Sequence, residues 1–246
     1  MQKIHVIATS HGTANPTGQQ SISEIRDALA EILSQSNVFD VSVSEAFVDV
    51  QEPSLDEVMA GFTPDDVVVI VPLLLSTGFH TQVDMQRAAK NSPARQVHLA
   101  APLGPSPELA HLQVIRLKET GWTPNRTAVM AAAGSSRADG REAVAVQSML
   151  LSLQAGKETQ YGFCAAIDPK ITDITAQHPD AVISSYLLAP GHFHSRLENI
   201  TRQHPDISVS APLMVPGDRA AALHIANVAV QRIFEELTNQ QTSAKT

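Results

Sequence analysis

The second half of this sequence repeats the first, and the repeat limits the folds that the chain can adopt. Three segments recur in the same order: Ile7–Thr13 as Val129–Ser135, Leu73–His80 as Leu187–His194, and Ala101–Leu103 as Ala211–Leu213. Ordered self-similarity of this kind indicates that one structural unit has been duplicated. We therefore predict two similar lobes, residues 1–121 and 122–237, followed by a mobile polar tail at 238–246.

Strand-like and helix-like patterns alternate within each predicted lobe. The run Val67–Leu75 is apolar without polar alternation, which is typical of a strand buried on both faces of a parallel sheet. Strands are also predicted at Ile4–Thr9, Val41–Val48 and Val97–Ala100, each followed by a helical pattern. Such alternation indicates parallel strands joined by crossover helices. The predicted fold class is α/β, with two similar four-stranded parallel-sheet lobes.

Sequence signals predict where three helices of the first half begin or end. Ser54 and Glu57 form a capping box that starts a short helix ending near Phe62. A second helix is predicted after His80, and a third from Pro107 to Glu119, where the chain then reaches a Gly- and Pro-containing linker.

Composition narrows the function classes. The chain has 246 residues, 43% of them hydrophobic, and a net charge of −8 without any Lys/Arg cluster, so a nucleic-acid or anionic-membrane surface is not expected. The single cysteine, Cys164, excludes an internal disulfide and fits a core position. The opening segment is too short for a membrane span and lacks a signal-peptide pattern, so we expect a cytoplasmic protein. Neither a dinucleotide fingerprint nor a Walker A motif is present.

Three side chains with metal-ligand chemistry follow three predicted strands: His11, Asp49 and His80. The carboxyl ends of parallel strands meet at one edge of a sheet, which is where open α/β sheets bind their ligands. Two imidazoles and a carboxylate suit a first-row divalent metal, and a histidine can also accept a proton near neutral pH. The spacing does not separate these roles from a third, in which the residues only form hydrogen bonds within loops.

The corresponding edge of the second lobe has a different residue set. Ala133 stands at the position of His11, whereas the Phe-His pair recurs and places His194 at the position of His80. His192 and His194, with Arg196, could form a second anion or metal site or a loop that faces a shared cleft. We therefore predict that the first lobe carries the chemistry.

These blocks together resemble the CbiX/SirB group of class II tetrapyrrole chelatases, and the resemblance covers nearly the whole chain. Ser10-His11-Gly12-Thr13 is similar to the family's His-Gly-Ser/Thr turn. Phe47-Val48-Asp49 with Glu52-Pro53-Ser54 is similar to its Phe-Leu-Glu and Glu-Pro-Ser/Thr blocks. The closest match is Val71–Leu75 with His80 and Asp84. Asp49 is one methylene shorter than the family's Glu, so nearby Glu45 is a possible substitute.

The resemblance implies a lyase with a bilobal fold, which binds a tetrapyrrole in a cleft between the lobes and inserts a divalent metal without ATP. It implies His11 and His80 as the catalytic pair and His11, Asp49 and His80 as metal ligands. The implied substrate-binding residues are Ser10, Gly12, Thr13, Ser76, Thr77, Gly78, Arg137, His192 and His194. Because sirohydrochlorin carries eight carboxylates, Arg87, Lys90 and Arg196 are further candidates. No cofactor is expected beyond the substrate metal, Fe²⁺ or Co²⁺.

The resemblance favours iron, for sirohaem, because the chain lacks the His-rich or Cys-rich tracts of some cobalt-associated relatives. Three alternatives remain open: a cobaltochelatase for cobalamin synthesis, a non-catalytic tetrapyrrole- or metal-binding protein, and a two-lobed solute-binding protein. The expected partner is the small-molecule tetrapyrrole alone, with neither nucleic acid nor membrane, and two fused lobes predict a monomer.

Overall fold

The computed structural model describes residues 3–35, 40–76 and 78–243, apart from the side chains of residues 79–81 and 240–243. The elements of the first half are β1 Lys3–Ser10, α1 Pro16–Ser34, β2 Asp40–Phe47, α2 Leu55–Ala60, β3 Val67–Pro72, α3 Phe79–Asn91, β4 Gln96–Leu99 and α4 Pro107–Glu119. Those of the second half are β5 Ala128–Ala132, α5 Ala138–Ala155, β6 Gln160–Phe163, α6 Ile171–Gln177, β7 Val182–Tyr186, α7 His192–Gln203, β8 Ser208–Val209 and α8 Arg219–Ser243.

The eight strands form two parallel sheets with the same topology. The first sheet has the order β2-β1-β3-β4 and the second has the order β6-β5-β7-β8. Every adjacent pair is parallel. The predicted α/β fold with two four-stranded parallel sheets is therefore confirmed.

The central strands are buried as the apolar runs predict. All six residues of β3 are buried, and the first core places Ile7 and Ile70 of the sheet against Met59 of α2 and Met85 of α3. The strand is shorter than predicted, because it ends at Pro72 rather than at Leu75. Leu73 nevertheless stays buried, and its amide donates to the Thr9 carbonyl at 2.7 Å. The buried apolar run therefore continues beyond the end of the strand.

Helix limits follow local capping chemistry. The capping box of α2 is confirmed: the Glu57 amide donates to Ser54 Oγ at 3.3 Å, and the Ser54 amide donates to the Glu57 carboxylate at 3.1 Å. The helix stops at Ala60, two residues before the predicted end. The helix after β3 begins at Phe79, so His80 lies in the first turn of α3 rather than before it.

The chain divides into two compact units, each built around one sheet. Unit 1 consists of the residues up to Leu74, Phe79–Leu103 and the residues from Ala222 onward, and unit 2 consists of Leu75–Gly78 and Gly104–Ala221. The last helix of each half is thus assigned to the unit that contains the other half's sheet. These units differ from the predicted lobes, which divide the chain in sequence order at residue 121.

Specific contacts hold these last helices in their units. In unit 2, Gln113 of α4 donates to Ser184 of β7 at 3.1 Å and accepts from Gln147 of α5 at 2.8 Å. In unit 1, Arg232 of α8 donates to the carbonyls of Pro102 and Leu103 at 3.0 and 3.1 Å. Sequence periodicity identifies each helix but carries no information about which sheet it packs on.

The end of α8 extends into the predicted tail. The helix continues to Ser243, and the Thr238 hydroxyl donates to the Phe234 carbonyl at 2.8 Å, one turn earlier. A polar composition therefore does not end the helix at residue 237, because no Gly or Pro interrupts it.

Candidate active site at the carboxyl edge of the first sheet

Backbone pairing brings His11 and Asp49 together. Beyond the ends of β1 and β2, the Val48 amide donates to the Ser10 carbonyl and the Asp49 amide donates to the His11 carbonyl, both at 3.0 Å. The two residues therefore lie side by side at the spacing of paired strands, about 4.8 Å. Both side chains are exposed. His11 and Asp49, two of the three residues predicted to meet, therefore lie at one edge of the sheet, as expected.

Gly12 allows the two loops to approach closely. Its φ is +90°, a conformation that residues with a side chain rarely adopt, and a methyl group there would overlap the Asp49 carbonyl oxygen. The Gln51 amide would lie 3.3 Å from that methyl carbon. The glycine of the His-Gly-Thr turn is thus required by the contact that places Asp49 beside His11.

Two further residues stabilise this edge, and the sequence analysis did not identify them. Gln51 Oε1 accepts from the Thr13 amide at 2.9 Å and so joins the two loops. Val50 has φ +64°, the single positive φ among described non-glycine residues, and its amide donates to Asp49 Oδ1 at 2.8 Å. No sequence signal predicts either feature, because a β-branched residue is the least expected at positive φ. Backbone strain of this kind is often found at functional sites.

The loop continues into α1 through ordinary capping. The Asn15 side chain accepts from the Gly18 amide at 3.1 Å, and Pro16 occupies the first helical position. Gln19 donates to the Thr13 carbonyl at 2.8 Å. The turn that carries His11 is therefore fixed from both β2 and α1.

His80 follows the strand on the other side of β1. β3 pairs with β1 through Thr9 and Pro72, and α3 begins seven residues after Pro72 with Phe79. The backbone of His80 is the second residue of α3, whereas its side chain lies outside the described residues, as does Thr77. Among the side chains that the structure describes, no group of three His, Cys, Asp or Glu could hold a metal ion. The three-ligand set therefore remains a prediction.

Two charged residues considered near the site are engaged elsewhere. Glu45 forms an ion pair with Arg26 of α1 at 2.7 Å, whereas no ion pair involves Asp49 among the side chains that the structure describes. Arg87 bridges Asp84 at 2.8 Å and Asp56 at 2.9 Å, which ties α3 to α2.

Unit 2 repeats the backbone frame of this edge without its side chains. The Cys164 amide donates to the Ala132 carbonyl at 2.8 Å, and the Ala165 amide donates to the Ala133 carbonyl at 2.9 Å. These are the counterparts of the bonds that hold Val48 and Asp49. Ala133 and Ala165 therefore occupy the positions of His11 and Asp49, and the second frame lacks both the imidazole and the carboxylate.

His194, the counterpart of His80, is packed in unit 2. Its Nδ1 lies 3.3 Å from Ser185 Oγ, its Nε2 lies 3.7 Å from Glu198, and only 13% of its side chain is exposed. Burial lowers the pKa of His194 below its usual value, although Glu198 opposes that shift. The imidazole is therefore neutral near pH 7. His192 is exposed and contacts Phe193.

The remaining predicted substrate-binding residues are divided between the two units. Ser10 is 4% exposed at the end of β1. Ser76 and Gly78 belong to unit 2, where Tyr186 donates to the preceding Leu75 carbonyl at 3.3 Å. Arg137, also in unit 2, makes a two-pronged contact with Asp139, 2.8 Å for each bond.

The fold is shared with solved chelatase structures. Over 98% of its length the chain matches SirB from Bacillus subtilis, a structure containing Fe³⁺, with a TM-score of 0.73, 21% identity and 98% of that chain covered. A CbiX structure, the terminal enzyme for biosynthesis of siroheme in denitrifying bacteria, matches 91% of this chain and 97% of its own with a TM-score of 0.64 and 20% identity. The fold is therefore that of the tetrapyrrole chelatases.

Sequence comparisons give a more specific likeness than the fold. Residues 5–120, slightly less than half of the chain, match the sequence model of the CbiX family. The sirohydrochlorin cobaltochelatase of Methanosarcina acetivorans is 34% identical over 86 residues, 34% of this chain and 62% of that protein. Its counterpart in Methanosarcina barkeri is 32% identical over 88 residues, 35% of this chain and 64% of that protein. The chain thus spans less than two thirds of these relatives.

Within the described ranges, no helix combines the length and the apolar character that a membrane crossing needs.

Proposed function

We propose that this chain inserts a divalent metal into sirohydrochlorin without ATP, and that unit 1 performs the reaction. The observation that carries the proposal is the difference between two equivalent backbone frames. His11 and Asp49 stand on one frame, whereas Ala133 and Ala165 stand on the other. The match of residues 5–120 to the CbiX family supports the same half.

The chemistry of insertion fits this residue set. When M²⁺ enters the ring, two pyrrole N–H protons must leave, so the charge of the product equals that of the free tetrapyrrole. A histidine near neutral pH can accept such a proton, and an imidazole with a carboxylate can hold a first-row metal before transfer. We assign these steps to His11 and Asp49, with His80 as the third member predicted from the sequence.

We favour Fe²⁺ as the metal, with sirohaem as the product, because the sequence contains no His-rich or Cys-rich tract. Cobalt is the second candidate, since the curated relatives are named cobaltochelatases and a SirB structure contains cobalt. Nitrogen and oxygen ligand sets seldom discriminate strongly between neighbouring divalent metals. The rate ratio between the two metals therefore has to be measured.

The test is anaerobic metallation of sirohydrochlorin, followed by absorbance, with Fe²⁺ and Co²⁺ in parallel. We expect the wild type to exceed the spontaneous rate and the His11→Ala and His80→Ala variants to lose about 100-fold or more, the range of general acid–base contributions. Asp49→Asn should fall similarly, whereas Asp49→Glu should retain most activity because it restores the family's residue.

The matched control is His204→Ala, an exposed histidine at the end of α7 in unit 2. It should metallate as the wild type does. If the wild type equals the enzyme-free rate with both metals while still binding sirohydrochlorin, the protein is a carrier and the proposal fails. If His204→Ala loses as much as His11→Ala, the loss does not report on the unit 1 site.

A further inference from the structure

Unit 2 contains a pocket of about 310 Å³ at the carboxyl end of β6, between α6 and α7. Its floor is apolar and includes the buried residues Phe163, Cys164 and Leu197. Lys170 and Arg196 stand among its lining residues. The volume is at the lower end of the range for small-molecule sites. We call this cavity the α6–α7 pocket.

The charged residues that line the α6–α7 pocket are all cations. None of the lining residues is acidic, and amide side chains such as Asn199 add hydrogen-bond donors. In the part of the chain that the structure describes, no ion pair or hydrogen bond occupies the side chains of Lys170 and Arg196. Burial raises the pKa of the Cys164 thiol to about 12, although Arg196 opposes the shift, so the floor carries no negative charge at neutral pH.

In unit 1, an ion pair joins the helices that correspond to α6 and α7. There Asp56, the second residue of α2, binds Arg87 of α3 at 2.9 Å. In unit 2, Thr172 is the second residue of α6, and Thr201 lies as far beyond Phe193 as Arg87 lies beyond Phe79. Two threonines thus stand at the positions of the bridging pair, and one of them, Thr172, lines the α6–α7 pocket.

We propose that the α6–α7 pocket binds a small organic dicarboxylate. The guanidinium of Arg196 can hold one carboxylate through two hydrogen bonds, and the ammonium of Lys170 can pair with the other as a point charge. The apolar floor fits the carbon chain between them, which favours an organic anion over inorganic phosphate. All residues of this pocket belong to unit 2, and the proposal does not depend on the function proposed for unit 1.

The proposal is tested with the whole protein, free of metal and tetrapyrrole, by calorimetric titration with succinate at low salt. We expect saturable binding that is weakened at least tenfold in Lys170→Gln/Arg196→Gln and weakened further by added NaCl, because exposed charges are screened. Lys118→Gln, an exposed cation of α4 outside the pocket, should bind as the wild type does.

Thr172→Asp gives a second, independent variant. It restores the carboxylate that unit 1 has at this position, and it places that charge in the first turn of a helix, where it does not disfavour folding. We expect thermal stability to be kept and succinate binding to be lost at least tenfold. Absence of saturable succinate binding up to about 10 mM, roughly ten times a dissociation constant of 1 mM, would overturn the proposal. So would wild-type affinity in Lys170→Gln/Arg196→Gln, or equal affinity for inorganic phosphate.

Discussion

Gly12→Ala should damage both stability and activity, and the structure allows the two effects to be separated. A side chain at φ +90° costs roughly 1–2 kcal/mol in backbone conformation. Its methyl group would overlap the Asp49 carbonyl oxygen, and no rotamer change can relieve this because both atoms are fixed to the backbone. Forced overlap of this size costs about 1–3 kcal/mol more. We therefore expect a total loss of about 2–5 kcal/mol in the free energy of unfolding.

Two other glycines provide matched controls. Gly121 has φ +78° with no atom within 4 Å of an added methyl group, so Gly121→Ala should lose only the conformational part, roughly 1–2 kcal/mol. Gly134 is the counterpart of Gly12 in unit 2, where a methyl carbon would lie 2.9 Å from the Ala165 Cβ. Gly134→Ala should therefore be destabilised while its metallation rate stays near that of the wild type.

The assays are urea unfolding followed by circular dichroism and anaerobic metallation measured well below the unfolding midpoint. Gly12→Ala moves Asp49 away from His11, and a displacement of about 1 Å at a reacting centre can cost about 100-fold in rate. If Gly12→Ala unfolds within 0.5 kcal/mol of Gly121→Ala, roughly the resolution of such measurements, the close approach to Asp49 does not exist in solution. If it is destabilised yet fully active, the His11–Asp49 edge is not the site of reaction.

Two further predictions concern unit 2. Arg116, 4% exposed, donates to Asp218 at 2.6 Å and to the Leu213 carbonyl at 2.9 Å, so Arg116→Met should cost about 3 kcal/mol in urea unfolding by leaving these acceptors unpaired, and Arg116→Lys should cost less. A loss below that of Arg116→Lys would contradict this. Because the folded-state pKa of His194 is lowered, the unfolded chain takes up a proton first as the pH falls through about 6.5, and stability should decline there. His194→Gln should show a smaller decline between pH 7.5 and 5.5, and an unchanged decline would refute the assignment.

Much of the fold is predictable from local sequence patterns, because buried residues recur at short, regular intervals along strands and helices. The apolar run Val67–Leu75 indicates a central strand, and the capping box at Ser54 indicates the start of α2. Strand limits are less predictable. Leu74 and Leu75 look like strand residues, yet parallel pairing of β3 with β1 ends at Pro72. The apolar pattern identifies buried residues, whereas the limits of a strand depend on its hydrogen-bonded pairing with a neighbouring strand.

The sequence predicts only those parts of the candidate site that depend on the type of residue present. His11 and Asp49 could be inferred, because each follows a strand and both strands must end at one edge. Gln51 and Val50 could not, because their roles depend on a bond to the Thr13 amide and on a positive φ that the loop imposes. Nor could the packing of α4 with β7, since amphipathic periodicity does not identify the partner sheet.

The duplicated frame explains how one half can lose its chemistry without losing its fold. The bonds that join the ends of β1 and β2, and of β5 and β6, run between backbone groups, so they place no demand on the side chains at 133 and 165. Ala133 and Ala165 supply no ligand atoms, yet the backbone hydrogen bonds that join the strand ends are the same in both units. Contacts made by side chains differ between the units: Asp56 and Arg87 join α2 to α3, whereas Thr172 and Thr201 stand at the equivalent positions of α6 and α7. The two units therefore share the backbone frame of the sheet edge and differ in the side chains on the helices beside it.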